Sequence, residues 1–173
     1  TAGSVTIYVD AASGNDANPG TQSQPLKTIG AAVGKITNLI IDNGHTVTIR
    51  LAPGTYVENV RITNLHGAGV FYLRGGSNLE EADSYIIDGW VGVTGCTCTT
   101  YIYGIKVLGS SNQEGAISFS RCLAGRVSFC KVDRTGRINS TNNYGINAGT
   151  YSLVLATNND ISNITGGISI PYR

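Results

Sequence analysis

The sequence predicts an all-β fold: a right-handed, single-stranded parallel β-helix with a short capping α-helix at its N-terminus. Three observations carry that prediction. The first is composition: of 173 residues, 23 are Gly and none is Met. Short β-branched runs alternate with Gly, Asn, Ser and Thr, which suits strands broken by frequent corners. The second is a loose period of twenty-odd residues. Ile105, Val127 and Leu153 are spaced by 22 and 26 residues, and Ile117, Ile146 and Ile168 by 29 and 22, as expected where each coil stacks on the last. The third is a thin hairpin signal: Asn43-Gly44 and Asp88-Gly89 are the only dipeptides of their kind. A sandwich of paired strands would favour more of them.

The elements follow in order. Val5–Val9 is a β-branched and aromatic strand, and 10–20 is almost entirely turn residues. Leu26, Ile29, Ala32, Val33, Ile36, Leu39 and Ile40 then recur at three and four residues. That spacing marks one face of an amphipathic helix over 26–40, with a stop at Asp42-Asn43-Gly44. From Thr46 onward only strands are expected, at 46–51, 56–62, 70–73, 85–87, 91–93, 97–107, 116–120, 126–132, 144–147, 153–156 and 167–170. The whole is one continuous domain, with the strand, loop and capping helix in 1–45 and the rungs in 46–173. The helix would cover the unpaired edge of the first rung, while 167–170 would leave an open edge. Thr1 follows no initiator Met or signal-peptide pattern, and Arg173 comes directly after an apolar segment. The chain is therefore expected to be a fragment of a longer protein.

Charge excludes several classes. Twelve Lys and Arg against eleven Asp and Glu give a net charge of +1, without the basic excess of a nucleic-acid binder. No apolar run is long enough for a membrane-spanning helix. Cys96, Cys98, Cys122 and Cys130 lack zinc-ligand spacing, and His45 and His66 lie far upstream. Cys96 and Cys98, two apart on one strand face, are poorly placed to bridge each other. All four are expected to be free, buried thiols, which suits assembly in a reducing cytoplasm.

The opening residues resemble a known superfamily. Ile7-Tyr8-Val9-Asp10, Ser13-Gly14-Asn15-Asp16, Asn18-Pro19-Gly20-Thr21, Pro25-Leu26-Lys27-Thr28-Ile29 and Ala31-Ala32 look like the start of many pectate-lyase-like β-helix proteins. The run from Thr48 to Tyr56, with Glu58, resembles their first full rung. The match covers about the first third of the chain and speaks to fold far more than to chemistry. The superfamily includes secreted polysaccharide lyases and hydrolases, surface proteins and bacteriophage tailspikes. Of these, the tailspike-like group is the expected home. The resemblance implies a module of a virion tail, or an extracellular one, that binds bacterial surface polysaccharide, commonly as a homotrimer. The alternative is a secreted polysaccharide lyase or glycoside hydrolase acting on an acidic polysaccharide.

The lateral faces are where site residues are expected. Hydrolases of this architecture pair two carboxylates, and lyases pair carboxylate-held calcium with a basic residue. The carboxylates on offer are Asp83, Asp88, Glu114, Asp133 and Asp160, and the richest cluster runs from Lys131 to Arg137. Asp133 and Asp160 are expected on adjacent rungs, where stacked carboxylates would raise each other's pKa. Asp133, Asp160, Arg134 and Arg137 are accordingly the catalytic candidates, although the lyases' characteristic acidic pairs are not recognisable. For sugar binding, Tyr101 and Tyr103 alternate onto one face, and Asn143, Tyr144, Asn147 and Tyr151 form a polar and aromatic corner. Asp16 and Asn18 offer oxygens two residues apart, as calcium accepts. Their loop has no closing bidentate Glu, so Asx-turn hydrogen bonding is the expected role there, and no cofactor or metal is expected.

Overall fold

The computed structural model describes residues 3–110, 115–136, 144–164 and 166–169, the last stretch as backbone. The chain opens with β1 (Val5–Val9), passes through a loop into α1 (Ile29–Gly34), and reaches the two-residue β2 (Ile40–Ile41). The first coil is β3 (Thr46–Leu51), β4 (Gly54–Tyr56) and β5 (Val60–Thr63). After β6 (His66–Gly67) the second is β7 (Val70–Arg74), β8 (Tyr85–Ile87) and β9 (Val91–Thr94), with a 3₁₀ turn at Glu81–Ser84. Then come β10 (Thr99–Tyr103), β11 (Lys106–Val107) and β12 (Gly115–Ser120), followed by β13 (Ala124–Ser128), β14 (Lys131–Asp133) and β15 (Tyr144–Ala148). The last coil is β16 (Val154–Thr157), β17 (Asp160–Ser162) and β18 (Gly166–Ser169).

Corresponding strands stack in parallel and form three faces. One sheet runs β1-β3-β7-β10-β13-β16, the second β4-β8-β11-β14-β17, and the third β5-β9-β12-β15-β18. The molecule is thus a parallel β-helix whose chain makes about four turns between β3 and β16. Val47 pairs with Phe71, Phe71 with Thr100, Thr100 with Gly125, and Gly125 with Val154, so the steps are 24, 29, 25 and 29 residues. Corner insertions account for the uneven steps. The expected column Ile117–Ile146–Ile168 is a true register column. The column Ile105–Val127–Leu153 is not: Val127 pairs with Ile102 and Ala156 instead.

Strands expected as single runs are split by corners. The 97–107 run breaks at Gly104 (φ 63°) and the 126–132 run at Phe129 (φ 55°). Gly104 N–H donates to Ser128 O and Phe129 N–H to Thr157 O, so these left-handed residues stack with Asn158 (φ 55°) as one corner ladder. A second ladder places Asn64, Gly95 and Arg121 (φ 54°) at the corner between the third sheet and the next coil. An L-residue with a long side chain costs about 1–2 kcal/mol in this conformation. Arg121→Gly is therefore expected to stabilise the chain by about 1 kcal/mol, because exposed Arg121 gives up strain and little else. Urea denaturation would register that as a higher midpoint at unchanged slope. A lower midpoint would mean that Arg121 makes contacts that outweigh its strain.

The helix is shorter than its periodicity suggested. It ends at Gly34, and Asn38 (φ 64°) turns the chain so that Ile40 and Ile41 pair with His66 and Gly67. Tertiary pairing overrides the helical pattern there. Ile29, Ala32 and Val33 are buried against the first coil, so the helix does cap it. Tyr56 ties this cap together: its hydroxyl donates within reach of both Val9 O (3.0 Å) and Ala52 O (2.8 Å). Burial pushes its phenol up to about 12. All four cysteines are free and buried. Desolvation pushes the Cys98 and Cys130 thiols up, the latter to about 12.

Candidate functional site

The carboxylates of the opening loop serve the fold. Asp16 Oδ1 accepts from the backbone N–H groups of Lys27 (2.9 Å) and Thr28 (2.8 Å), and its Oδ2 accepts from Thr28 Oγ1. Desolvation opposes ionisation of Asp16, but the Thr28 and Lys27 donors outweigh it and hold the carboxyl below its usual value. Asn18 Nδ2 donates to Pro25 O, so both residues fasten the loop to the capping helix. Glu58 reaches from the first coil to the helix start, accepting from Ile29 N–H and Gly30 N–H at 2.8 Å each. Gly14 is required by the same packing, since a Cβ there would lie 2.1 Å from Leu26 O.

The second sheet carries the charged cluster singled out by sequence. Asp133 and Asp160 do lie on adjacent strands, but two positions out of register: Asp160 pairs with Lys131, and Asp133 with Ser162. Asp133 accepts from Thr135 Oγ1 (2.7 Å), Thr135 N–H (3.1 Å) and Asn163 Nδ2 (2.8 Å). Those donors hold its carboxyl low, the opposite of the shift expected from a stacked acid pair. Arg134 turns into the interior and is fully buried, with Nη2 donating to Ser110 O at 2.7 Å. Arg137 lies outside the described residues. Lys106 and Lys131 stack on neighbouring coils and both donate to Asp83, whose carboxyl they lower.

Asp10 belongs with these carboxylates, held low chiefly by Ser13 Oγ at 2.6 Å. A pKa lowered in the folded chain contributes stability that is full above the ordinary Asp value near 4 and is lost as pH falls through that value and below. Asp10, Asp16, Asp83 and Asp133 act together in this sense. The melting temperature is expected to be flat from pH 7 to about 5 and to drop steadily between about 5 and 3. A melting temperature that rises on acidification would contradict the arrangement.

The sugar-binding candidates are divided between faces. Asn147 sits on the third sheet between Ser118 and Ser169. Tyr144 has the strand parity of buried Ile146, and so does not share a face with Asn147. Tyr151 is exposed at a left-handed corner (φ 53°), and Asn143 lies outside the described residues. Tyr101 and Tyr103, in contrast, stand on the outer face of the six-stranded sheet and have company there.

Two register columns cross that face. One runs Thr6–Thr48–Tyr72–Tyr101–Arg126–Leu155, the other Tyr8–Arg50–Arg74–Tyr103–Ser128–Thr157. Tyr72 and Tyr101 stack with centroids 4.5 Å apart and 19° between planes. The Arg126 guanidinium lies 5.5 Å from the Tyr101 centroid, and that of Arg74 lies 5.2 Å from Tyr103. Tyr103 also meets Phe129 edge-on at 5.3 Å and donates to Ser77 O. None of the six strands carries an acidic residue or a Lys. The result is a flat, rigid surface of phenol rings and guanidiniums. Tyr8, Arg50, Tyr72, Arg74 and Arg126 were not singled out by sequence as members of it. Their two columns appear only once the uneven coil lengths are known.

A family model described as a protein of unknown function (DUF1565) matches residues 12–63. That span holds the turn-rich loop, the capping helix and the first coil, including Asp16 and Glu58. No curated protein matches the chain, and no solved structure does.

Proposed function

We propose that this β-helix is a polysaccharide-binding module that lays an acidic glycan along the outer face of its six-stranded sheet. The observation that supports it is the Tyr72–Tyr101–Arg126 column beside Arg74–Tyr103 on strands without a carboxylate. Phenol rings offer apolar faces to the C–H faces of sugar rings and a hydroxyl at the edge. Guanidiniums pair with carboxylates in a planar fork. Stacking on neighbours fixes both kinds of side chain in advance, so little rotamer freedom is lost on binding. Six strands at ~4.8 Å give a track about 24 Å long, enough for several sugar rings. The biological setting that fits the resemblance is a tailspike-like protein docking on a bacterial surface glycan. Side-by-side trimers belong to that setting, and exposed Leu123 and Leu153 suit contact between copies.

Affinity electrophoresis in gels containing polygalacturonate or dextran tests the reading. Retardation is expected in the acidic polymer only, and it should weaken with added salt. Tyr101→Ala and Arg126→Ala are each expected to weaken binding about tenfold, as loss of ~1.4 kcal/mol would. Equal retardation by dextran would remove the preference for acidic chains. Unchanged binding by both variants would remove this face from consideration.

A further inference from the structure

The six-stranded face is closed at its N-terminal end. The outer edge of β1 is covered by the returning loop, with Tyr8 N–H donating to Gly20 O and Leu26 N–H to Tyr8 O. There the loop and the corner after β3 border a half-open pocket of about 290 Å³, lined among others by Tyr8, Asp10, Gln22, Pro25, Arg50 and Tyr85. Tyr8 and Arg50 are register partners and head the same column that continues to Arg74 and Tyr103. The pocket is therefore continuous with the face and ends it.

Arg50 is the distinctive group. Among the described residues its guanidinium makes no hydrogen bond and no ion pair, although the Asp10 carboxylate lines the same pocket. Asp10 is instead engaged by its own turn, accepting from Ala12 N–H, Ser13 N–H and Ser13 Oγ. A guanidinium in a concave site with no partner offers two parallel donors to a planar anion. A carboxylate in the same cavity repels a bare anion and favours a ligand that also brings hydroxyl donors.

We propose that this pocket is a chain-end subsite that takes a terminal uronic acid, its carboxylate on Arg50 and its hydroxyls toward Asp10 and Gln22. The inference rests on the reading of the face as a glycan track and names how that track terminates. A uronic acid meets both charges of the pocket with one ring. A neutral hexose leaves Arg50 without its anion, and inorganic sulfate brings no hydroxyl donor to the Asp10 and Gln22 side of the pocket.

The test is an NMR titration of the protein with glucuronate, galacturonate, glucose and sodium sulfate, at constant ionic strength. Saturable shifts with a uronate, at least fivefold weaker with glucose and with sulfate, are the expected result. Arg50→Gln should lose at least fivefold in uronate affinity, and Arg50→Lys should fall between the two. Absence of uronate binding to the parent, or equal binding by Arg50→Gln at an unchanged melting temperature, overturns the subsite. Sulfate binding as tightly as uronate also overturns it, by reducing the pocket to a simple anion site. Polymer binding that survives either failure leaves the face standing, whereas loss of polymer binding alone sinks the face and not the pocket.

Discussion

Arg134→Ala is expected to lower the unfolding free energy by about 3–5 kcal/mol, a large share of the ~5–15 kcal/mol that holds a domain of this kind together. Arg134 follows β14 and is the largest fully buried side chain, with no surface exposed. Its Nη2 donates to Ser110 O at 2.7 Å and its Nη1 to Tyr144 O at 3.4 Å. It therefore clamps the stretch after β11 to the first residue of β15. The chain leaves room for it at Gly109, where a Cβ would stand 3.0 Å from Nε. Truncation removes the buried volume and both of these partly buried hydrogen bonds. Burial lowers the guanidinium pKa, but the group stays charged at any ordinary pH. Arg134→Met separates the contributions, because it fills space without bringing a charge to desolvate. It is expected to recover at least half of the loss, since apolar replacement of a buried charge is often well tolerated. Urea denaturation of the three proteins is the measurement. An alanine variant within about 1 kcal/mol of the parent would mean that the clamp contributes little.

Glu58→Ala should produce the next largest change, a loss of about 3 kcal/mol. Its carboxylate satisfies two N–H groups at the start of α1, donors that have no partner within the helix. Hydrogen bonds to a charged group contribute ~1.5–3 kcal/mol each. The six-residue helix is too short to persist alone, so releasing its start frees Ile29, Ala32 and Val33 from the first coil. Glu58→Gln keeps one acceptor and loses the charge, and about half the effect is expected. Amide exchange locates the damage: the N–H groups of Ile29 and Gly30 and of β5 should exchange faster, while those of β13 stay protected. Uniform acceleration across all strands would show that the cap governs global stability rather than its own end.

The two substitutions mark where sequence reasoning succeeded and where it did not. Glu58 was visible in advance as part of a run resembling a first β-helix rung, although its hydrogen bonds to the helix were not. Arg134 stands among the catalytic candidates by sequence because it lies in the charged Lys131–Arg137 run. Its burial depends on Ser110 and Tyr144, which come from other parts of the chain. The same limit applies to Asp133 and Asp160. Each sits near a strand-to-corner transition, but the corners before β14 and β17 are equally long, so Asp160, first in its strand, stands opposite Lys131, and Asp133, last in its own, opposite Ser162. On the candidate face, Tyr101 and Tyr103 were legible because alternation within one strand is local. Tyr72 and Arg126 were not, because they belong to other coils.

Sequence alone therefore determined the fold class, the capping helix with its apolar stripe, the buried free thiols and the side-by-side placement of Tyr101 and Tyr103. These follow from periods of two and 3.6 residues and from side-chain chemistry, which act over a few residues. The tertiary structure decided the helix length, the inward turn of Arg134, the separation of Asp133 from Asp160 and the assembly of the Tyr–Arg face. Each of these depends on which residues of successive coils lie in register. Register is the sum of strand and corner lengths around a whole turn, and here the steps run from 24 to 29 residues. A residue inserted in a corner changes the spacing between column partners without changing the pattern of any strand, so no local pattern in the chain can carry that information.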